Sequence, residues 1–240
     1  SSIHKRFPKV HLQAFTAVEI SHFAEISGMT THEILKRLKD AGLGSLPGGG
    51  AEVFSTSIRE ELCPEKLSGD EWLNTMRTAH NLGLKSNATM LYGHIETNED
   101  RINHLLKLRE LQDETGGFMS FIPLAFHPKN TDMENISSAA GILDLKMLAI
   151  GRLMLDNFDH IKAFWIMLGI KISQISLSFG VDDIDGTVAE EKITHSAGAE
   201  TPEALTVDDI KSLIEETGRE PVERDTLYNH RSEERRVGKE

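Results

Sequence analysis

The chain is predicted to fold as an α/β protein, a partial (β/α) barrel of the TIM type. Three observations carry this expectation. Short apolar runs alternate with longer amphipathic ones along the 240 residues, the pattern of right-handed parallel βαβ units. About six strand candidates occur, and each ends in a loop rich in Gly, His, Asp, Glu or Asn; in a (β/α) barrel such carboxyl-end loops build the active site. Six strands do not close an eight-stranded barrel, so two are expected to be missing.

The elements follow in order. "VHLQAF" (10–15) reads as a strand, and "AVEISHFAEIS" and "HEILKRLKDAG" as helices, the second closed by Gly42. "LGSLPGGG" is a short strand entering a glycine loop. "SGDEWLNTMRTAHNLG" carries a capping box, Ser68 with Glu71, and ends at Gly83. "KSNATMLYG" is a strand. "TNEDRINHLLKLRELQDETGG" is a long helix with Ile102, Leu105 and Leu106 on one face, stopped by Gly116 and Gly117. "FMSFIPLAF" is a strand, "NISSAAGILDLKMLAIGRLML" a helix and "IKAFWIML" a strand. "ISQISLSFGVDDIDGT" runs from helix into strand and loop. "TVDDIKSLIEETG" is a helix capped by Thr206, and "PVERDTLYN" a final extended piece.

Composition narrows the function classes. A formal charge of -12 argues against sequence-independent binding to nucleic acid or to an anionic membrane. No apolar run reaches transmembrane length, and the first residues lack a signal peptide's apolar core. A lone cysteine, Cys63, excludes an internal disulfide framework and any cysteine-only metal site built from this chain alone. It fits a reducing, cytoplasmic location. Cys63 stands beside Pro64 with no base in view to activate it.

Four constellations offer chemistry. "LPGGGAEVF" lacks the Gly-Lys-Ser/Thr of a phosphate loop and the spacing of a dinucleotide fingerprint. What remains is a backbone platform at Gly48, Gly49 and Gly50 plus one carboxylate, Glu52, suited to a ribose or adenine, or else a plain strand-to-helix turn. "TMLYGHIET" sets Gly93, His94 and Glu96 after a strand, with Thr97 capping the next helix through Asp100. Gly93 would admit a flat ring and His94 or Glu96 grip its polar edges, or Glu96 would simply favour the helix start. "FIPLAFHPKNT" places His127, Asn130 and Thr131 beyond a strand, neutral hydrogen-bonding groups for an anionic or aromatic substrate. The aspartates of "GVDDIDGT" suit a divalent cation, ribose hydroxyls or a polar turn, and the calcium-loop register is missing. His11, Phe15 and Glu19 flank the first strand end. His80, His104 and His160 lie in helical patterns and read as structural, Trp72 and Trp165 as core.

Taken together, "AFTAVEI", "GLGSLPGGGAEVF", "ATMLYGHIET", "LRELQDETGGF", "FIPLAFHPKNT", "VDDIDGTVAEEKI" and "ERDTLYN" resemble, in this order, the aminofutalosine synthase family of radical S-adenosylmethionine enzymes. The resemblance runs from about residue 3 to 229. The cyclic dehypoxanthine futalosine synthases and the radical enzymes of deazaflavin synthesis share "PGGGAE" and "GHIET"; "FIPLAFHP", with His127, favours the first family.

The resemblance implies a barrel of the radical S-adenosylmethionine superfamily, about strands three to eight, occupying 1–229. It implies a 4Fe-4S cluster that cleaves S-adenosylmethionine, an electron donor for that cluster, and a small-molecule substrate. The deoxyadenosyl radical adds to 3-(1-carboxyvinyloxy)benzoate, and the adduct rearranges and loses its carboxyl carbon to give 6-amino-6-deoxyfutalosine. Gly48, Gly49, Gly50, Glu52, Gly93 and Glu96 are expected at S-adenosylmethionine; His127, Asp183 and His94 at the reacting groups; His11, Asn130 and Thr131 at the substrate.

One departure is large. The family holds its cluster with a Cys-x3-Cys-x2-Cys loop, and this chain has only Cys63, outside any such motif. The expectation is an amino-terminally truncated polypeptide that binds no cluster and is inactive alone. A cluster-free binding or scaffold protein on an inherited partial barrel is the alternative from another class. The charged end, 230–240, reads as a non-native tail.

Overall fold

The computed structural model describes residues 2–188, 196, 202 and 204–231. Among these residues five parallel strands form one sheet in chain order: β1 (Ser45–Leu46), β2 (Lys85–Tyr92), β3 (Phe118–Ala125), β4 (His160–Ala163) and β5 (Asp183–Ile184). A sixth position exists as a single parallel bridge, Gln13 to Ser45. The expected α/β partial barrel is therefore present, with "VHLQAF" reduced to one pairing. Only Ser45 lies beside it, and Phe15 at φ +62 turns the chain away.

Among the described residues the helices are α1 (Ser2–Arg6), α2 (Ala17–Ser27), α3 (Thr31–Asp40), α4 (Thr56–Leu62), α5 (Gly69–Asn81), α6 (Asn98–Thr115), α7 (Gly141–Met154), α8 (Trp165–Leu168), α9 (Ile170–Ser176) and α10 (Val207–Glu215). One local rule starts α2, α3, α5, α6 and α10. A Ser or Thr N-cap accepts from the third helical residue, whose carboxylate returns to the cap amide, at Thr16/Glu19, Thr30/Glu33, Ser68/Glu71, Thr97/Asp100 and Thr206/Asp209. Gly116 ends α6 in the left-handed conformation.

The core lies between the sheet and its helices. Trp72, Met76, Met90, Leu105, Phe121, Ile161 and Trp165 are fully buried there, and the Trp165 indole donates to Gly186 O at 3.1 Å. Four expectations are corrected. "IKAFWIML" is a strand only to Ala163 and then turns into α8, because a short apolar run suits either structure and length alone cannot decide. α7 begins at Gly141, not within "NISSAA": Ala139 is held out of the helix against Gly93, where an added Cβ would lie 3.0 Å from the Ala139 methyl. In α6 the inward face is His104, Leu105, Leu108, Leu111 and Gln112, and Leu106 is exposed. His160 opens β4 and is not helical.

Residues 232–240, which include most of the expected tail, lie outside the described residues, as do most of 189–203. No helix among the described residues is long and apolar enough to cross a membrane.

Candidate active site

The glycine loop lies along β2. Gly48 O accepts from Thr89 Oγ1 at 2.6 Å. A Cβ on Gly48 would stand 2.8 Å from Thr89 Cγ2 and 3.0 Å from Asn87 O, so only glycine allows this approach. Gly49 O accepts from the Trp72 indole at 3.2 Å, and Gly50 turns at φ +83. The loop is then clamped by Arg59, which α4 aims inward. Its Nη1 donates to Ala51 O at 2.6 Å and Val53 O at 3.2 Å, its Nη2 to Gly50 O at 3.2 Å and also to Leu67 O. These bonds satisfy carbonyls that the irregular loop cannot pair itself.

Glu52 follows with φ +45, and its carbonyl accepts from Leu91 N at 3.0 Å. That bond ties the loop to the carboxyl end of β2. Glu52 Oε1 pairs with Lys66 at 2.9 Å, which leaves Oε2 without a protein donor among the described residues. Burial pulls the Lys66 ammonium down, but the carboxylate beside it outweighs this and holds it above its ordinary value.

Beyond β2 the chain turns at Gly93, φ +88. Glu96 builds this turn. Its oxygens accept from Gly93 N at 2.6 Å, His94 N at 2.8 Å and Arg101 Nε at 2.7 Å, and its side chain is fully buried. Burial raises the carboxyl pKa, yet the amide of Gly93, the bond from Arg101 and the amide of His94 help to bring it below the usual range. Glu96 was expected to grip a ligand; in this structure both its oxygens bond within the turn and to Arg101. His94 is likewise turned inward. Its Nε2 meets Leu91 O at 3.1 Å and its ring stands edge-on to Phe126 at 5.9 Å. Its Nδ1 is 3.1 Å from Glu96 without hydrogen-bond alignment. Burial lowers its pKa more than Glu96 restores it, so the ring is neutral near pH 7.

After β3, Phe126 N donates to Tyr92 O at 2.8 Å, drawing the two strand ends together. His127 is half-buried, with Nε2 on Met167 O at 3.0 Å. Asn130 takes φ +62 and donates from Nδ2 to Ser196 O at 2.9 Å; Thr131 Oγ1 donates to Pro128 O at 2.6 Å. Below this rim the Tyr92 hydroxyl donates to Asp144 Oδ1 at 2.7 Å, and burial pushes the pKa values of both groups up.

The structure thus brings together, at the carboxyl ends of β1 to β3, Gly48, Gly49, Gly50, Glu52, Gly93, His94, Glu96, His127, Asn130 and Thr131. It does not bring His11 or Asp183 there. His11 Nε2 meets Ser45 Oγ at 2.8 Å, level with the start of β1. Asp183 begins β5, bonded to Arg224 and Tyr228. These two residues instead line one cavity of about 1130 Å³ between the first and last edges of the sheet. Cys63 is buried, and burial raises its thiol pKa. Among the described residues no three His, Cys, Asp or Glu side chains converge to hold a metal ion.

Sequence reasoning missed Arg59, Arg101, Lys162, Arg224 and Tyr228. Arg101 had a usable signal, five residues after Glu96 and one turn into a capped helix. Arg59 is drawn in by carbonyls of the neighbouring loops, and Lys162, Arg224 and Tyr228 by partners distant in the chain.

A parallel sheet flanked by helices, with its polar turns gathered after the strands, defines a partial (β/α)-barrel protein of the enzyme-bearing kind. Methylornithine synthase shares this fold: its crystal structure superposes with a TM-score of 0.60 at 20% identity, covering 81% of this chain and 57% of that one. The chain belongs to the family described as CofH/MqnC C-terminal region, whose model matches residues 115–237. It is 50% identical over 231 residues to the aminodeoxyfutalosine synthase of Thermus thermophilus, covering 95% of this chain and 62% of that protein. It is 47% identical to the enzyme of that name from Streptomyces coelicolor, with 92% and 60% covered. The 5-amino-6-(D-ribitylamino)uracil--L-tyrosine 4-hydroxyphenyl transferase of Archaeoglobus fulgidus is 45% identical, with 92% and 65% covered. The chain spans about three fifths of the length of the curated relatives it matches.

Proposed function

We propose that the chain is the carboxyl-terminal part of a radical S-adenosylmethionine transferase of menaquinone synthesis, an aminodeoxyfutalosine synthase acting on 3-(1-carboxyvinyloxy)benzoate. The observation that carries this reading is the 50% identity, over 95% of the chain, to the Thermus protein of that name.

In this reading the Gly48–Gly50 loop and the Gly93 turn form one wall of the adenosyl site, joined by the Glu52–Leu91 bond. Glu52 offers Oε2 to a ribose or adenine donor. Glu96 and His94 hold the wall in shape from behind. His127, Asn130 and Thr131 face the substrate side. S-adenosylmethionine, when bound, supplies the deoxyadenosyl unit that enters the product. Residues present here fit that adenosyl part, through a rim carboxylate and close-packed backbone.

The 4Fe-4S cluster is different. Its ligation needs several thiolates, while the described residues offer one buried thiol whose pKa is raised. The cluster does not fit these residues, and its ligands and its electron donor lie beyond them in this reading.

A Glu52→Gln change in the complete enzyme is expected to weaken S-adenosylmethionine binding by calorimetry; unchanged affinity would remove Glu52 from the site. Anaerobic reconstitution of the 240-residue chain should yield no stoichiometric iron and sulfide, and a stoichiometric cluster would sink this assignment of ligands. The 45% identity to the tyrosine 4-hydroxyphenyl transferase supports a second reading. Incubating the complete enzyme with each substrate pair separates the two by product mass.

A further inference from the structure

Away from the rim, a cluster of charges surrounds Asp183. Arg224 grips both oxygens, Nε to Oδ1 at 2.9 Å and Nη2 to Oδ2 at 2.6 Å, and the Tyr228 hydroxyl donates to Oδ2 at 2.8 Å. Both partners come from one hairpin, closed by the antiparallel bridge between Arg224 and His230. Asp225 pins its tip, accepting from the amides of Leu227 and Asn229 at 2.9 Å each. Tyr228 sits at φ +63, a conformation unfavourable for a bulky residue. It thereby stacks on His160, the first residue of β4, with centroids 4.0 Å apart. The hairpin therefore enters at the amino end of that strand. Burial, then the Asp183 carboxylate, push the phenol pKa up, so the hydroxyl stays a donor.

The charges continue upward. Lys162 Nζ is 3.7 Å from Asp183 and 3.4 Å from Asp185. Asp185 is the first residue after β5, and its amide donates to Ala163 O at 3.2 Å. Arg224, Asp183, Lys162 and Asp185 thus alternate in sign from the hairpin, past β4 and β5, to the loop at the carboxyl end of β5.

We propose that residues 222–231 are a latch docked on Asp183, and that Arg224 and Tyr228 are positioning residues for Lys162 and the loop 185–188. With the latch docked, Asp183 is neutralised by Arg224 and Lys162 is free to lean to Asp185. With it undocked, Asp183 loses the Arg224 fork, and among the described residues the cation left within ion-pair distance is Lys162. Lys162 is then drawn away from Asp185, because Asp183 no longer shares its charge with Arg224 and attracts the ammonium more strongly. The inference stands on this geometry and not on the reaction proposed above.

Hydrogen exchange read by mass spectrometry on the 240-residue chain tests it. In Arg224→Gln, amides of both 222–231 and 185–188 should exchange about tenfold faster, while those of β2 hold. Arg224→Lys, which keeps the charge and loses the fork, should restore much of the protection at 185–188. Faster exchange confined to 222–231, or no rescue by lysine, would overturn the coupling. Unchanged exchange in both segments would overturn the latch. Should Arg224→Gln unfold the whole chain, Tyr228→Phe, which removes one hydroxyl and keeps the ring, decides by the same two segments.

Discussion

Glu96 and Arg101 form a forked ion pair, with Nε and Nη2 at 2.7 and 2.6 Å from one carboxylate oxygen whose side chain is fully shielded from solvent. The same carboxylate holds two backbone amides of the Gly93 turn. Glu96→Ala leaves a half-buried guanidinium and two amides without their acceptor. The expected loss is about 3–5 kcal/mol of stability, read as a lower denaturant midpoint. A change under about 1 kcal/mol would show the turn to be self-supporting.

The pair also sets an acid limit. Its folded pKa lies below the usual carboxylate value. The stabilisation is present in full above the unfolded pKa, about 4.3, and is lost as pH falls through the folded value. Wild type should therefore lose its advantage over Glu96→Gln on acidification; a constant difference from pH 7 down to strongly acid solution would refute the linkage.

Arg59 bonds four loop carbonyls from a position only 4% exposed. Arg59→Met fills much of the volume and leaves those carbonyls unpaired. It should cost about 3–5 kcal/mol, and limited proteolysis should cut first within 47–53. Wild-type resistance of that segment would mean that the glycine loop holds itself.

Gly48→Ala is predicted to cost about 1–3 kcal/mol, because the new Cβ meets the backbone of Asn87 and Ala88 as well as the Thr89 methyl, and the backbone cannot give way. Gly116→Ala meets nothing within 4 Å and is strained only by its positive φ, so its penalty should be about 1 kcal/mol. Equal thermal midpoints for the two variants would contradict the close approach.

His80 and His104 are buried neutral. Burial lowers His80 to about 4 and His104 to about 3. Above pH ~6.5 neither state of the chain is protonated at these rings. Below it the unfolded state takes up protons that the folded state refuses, so stability falls as pH drops, by about 1.4 kcal/mol per pH unit for each ring. His80→Gln should remove one such slope between about pH 6 and 4. Denaturation curves at several pH values measure it, and an unchanged slope would clear His80 of the effect.

The capped helices were legible because their signals are local: a Ser or Thr and an acid three residues on decide the start. The glycine loop and the Gly93 turn were legible for a similar reason, since few residues tolerate their backbone. Side-chain direction was not. "TSIREEL" gives no sign that Arg59 points inward, because its partners are carbonyls of an irregular loop and not charges of its own helix. Leu106 fits an apolar stripe but is 42% exposed, while the polar His104 and Gln112 take inward places through bonds to Thr89 O and Phe118 O. Asp183 was placed by motif at the reacting groups, and a hairpin about forty residues later claims it. Contacts of that separation leave no mark in local periodicity.

The strand order β1-β2-β3-β4-β5 repeats the order of the chain. Each strand therefore finds its template in the one made just before it, and no pairing waits for a distant segment to arrive. During synthesis the sheet can grow vectorially, one strand-helix unit at a time. The hairpin that meets Asp183 comes after these five strands in the chain and joins the sheet through side chains, Arg224 and Tyr228, rather than as a further strand.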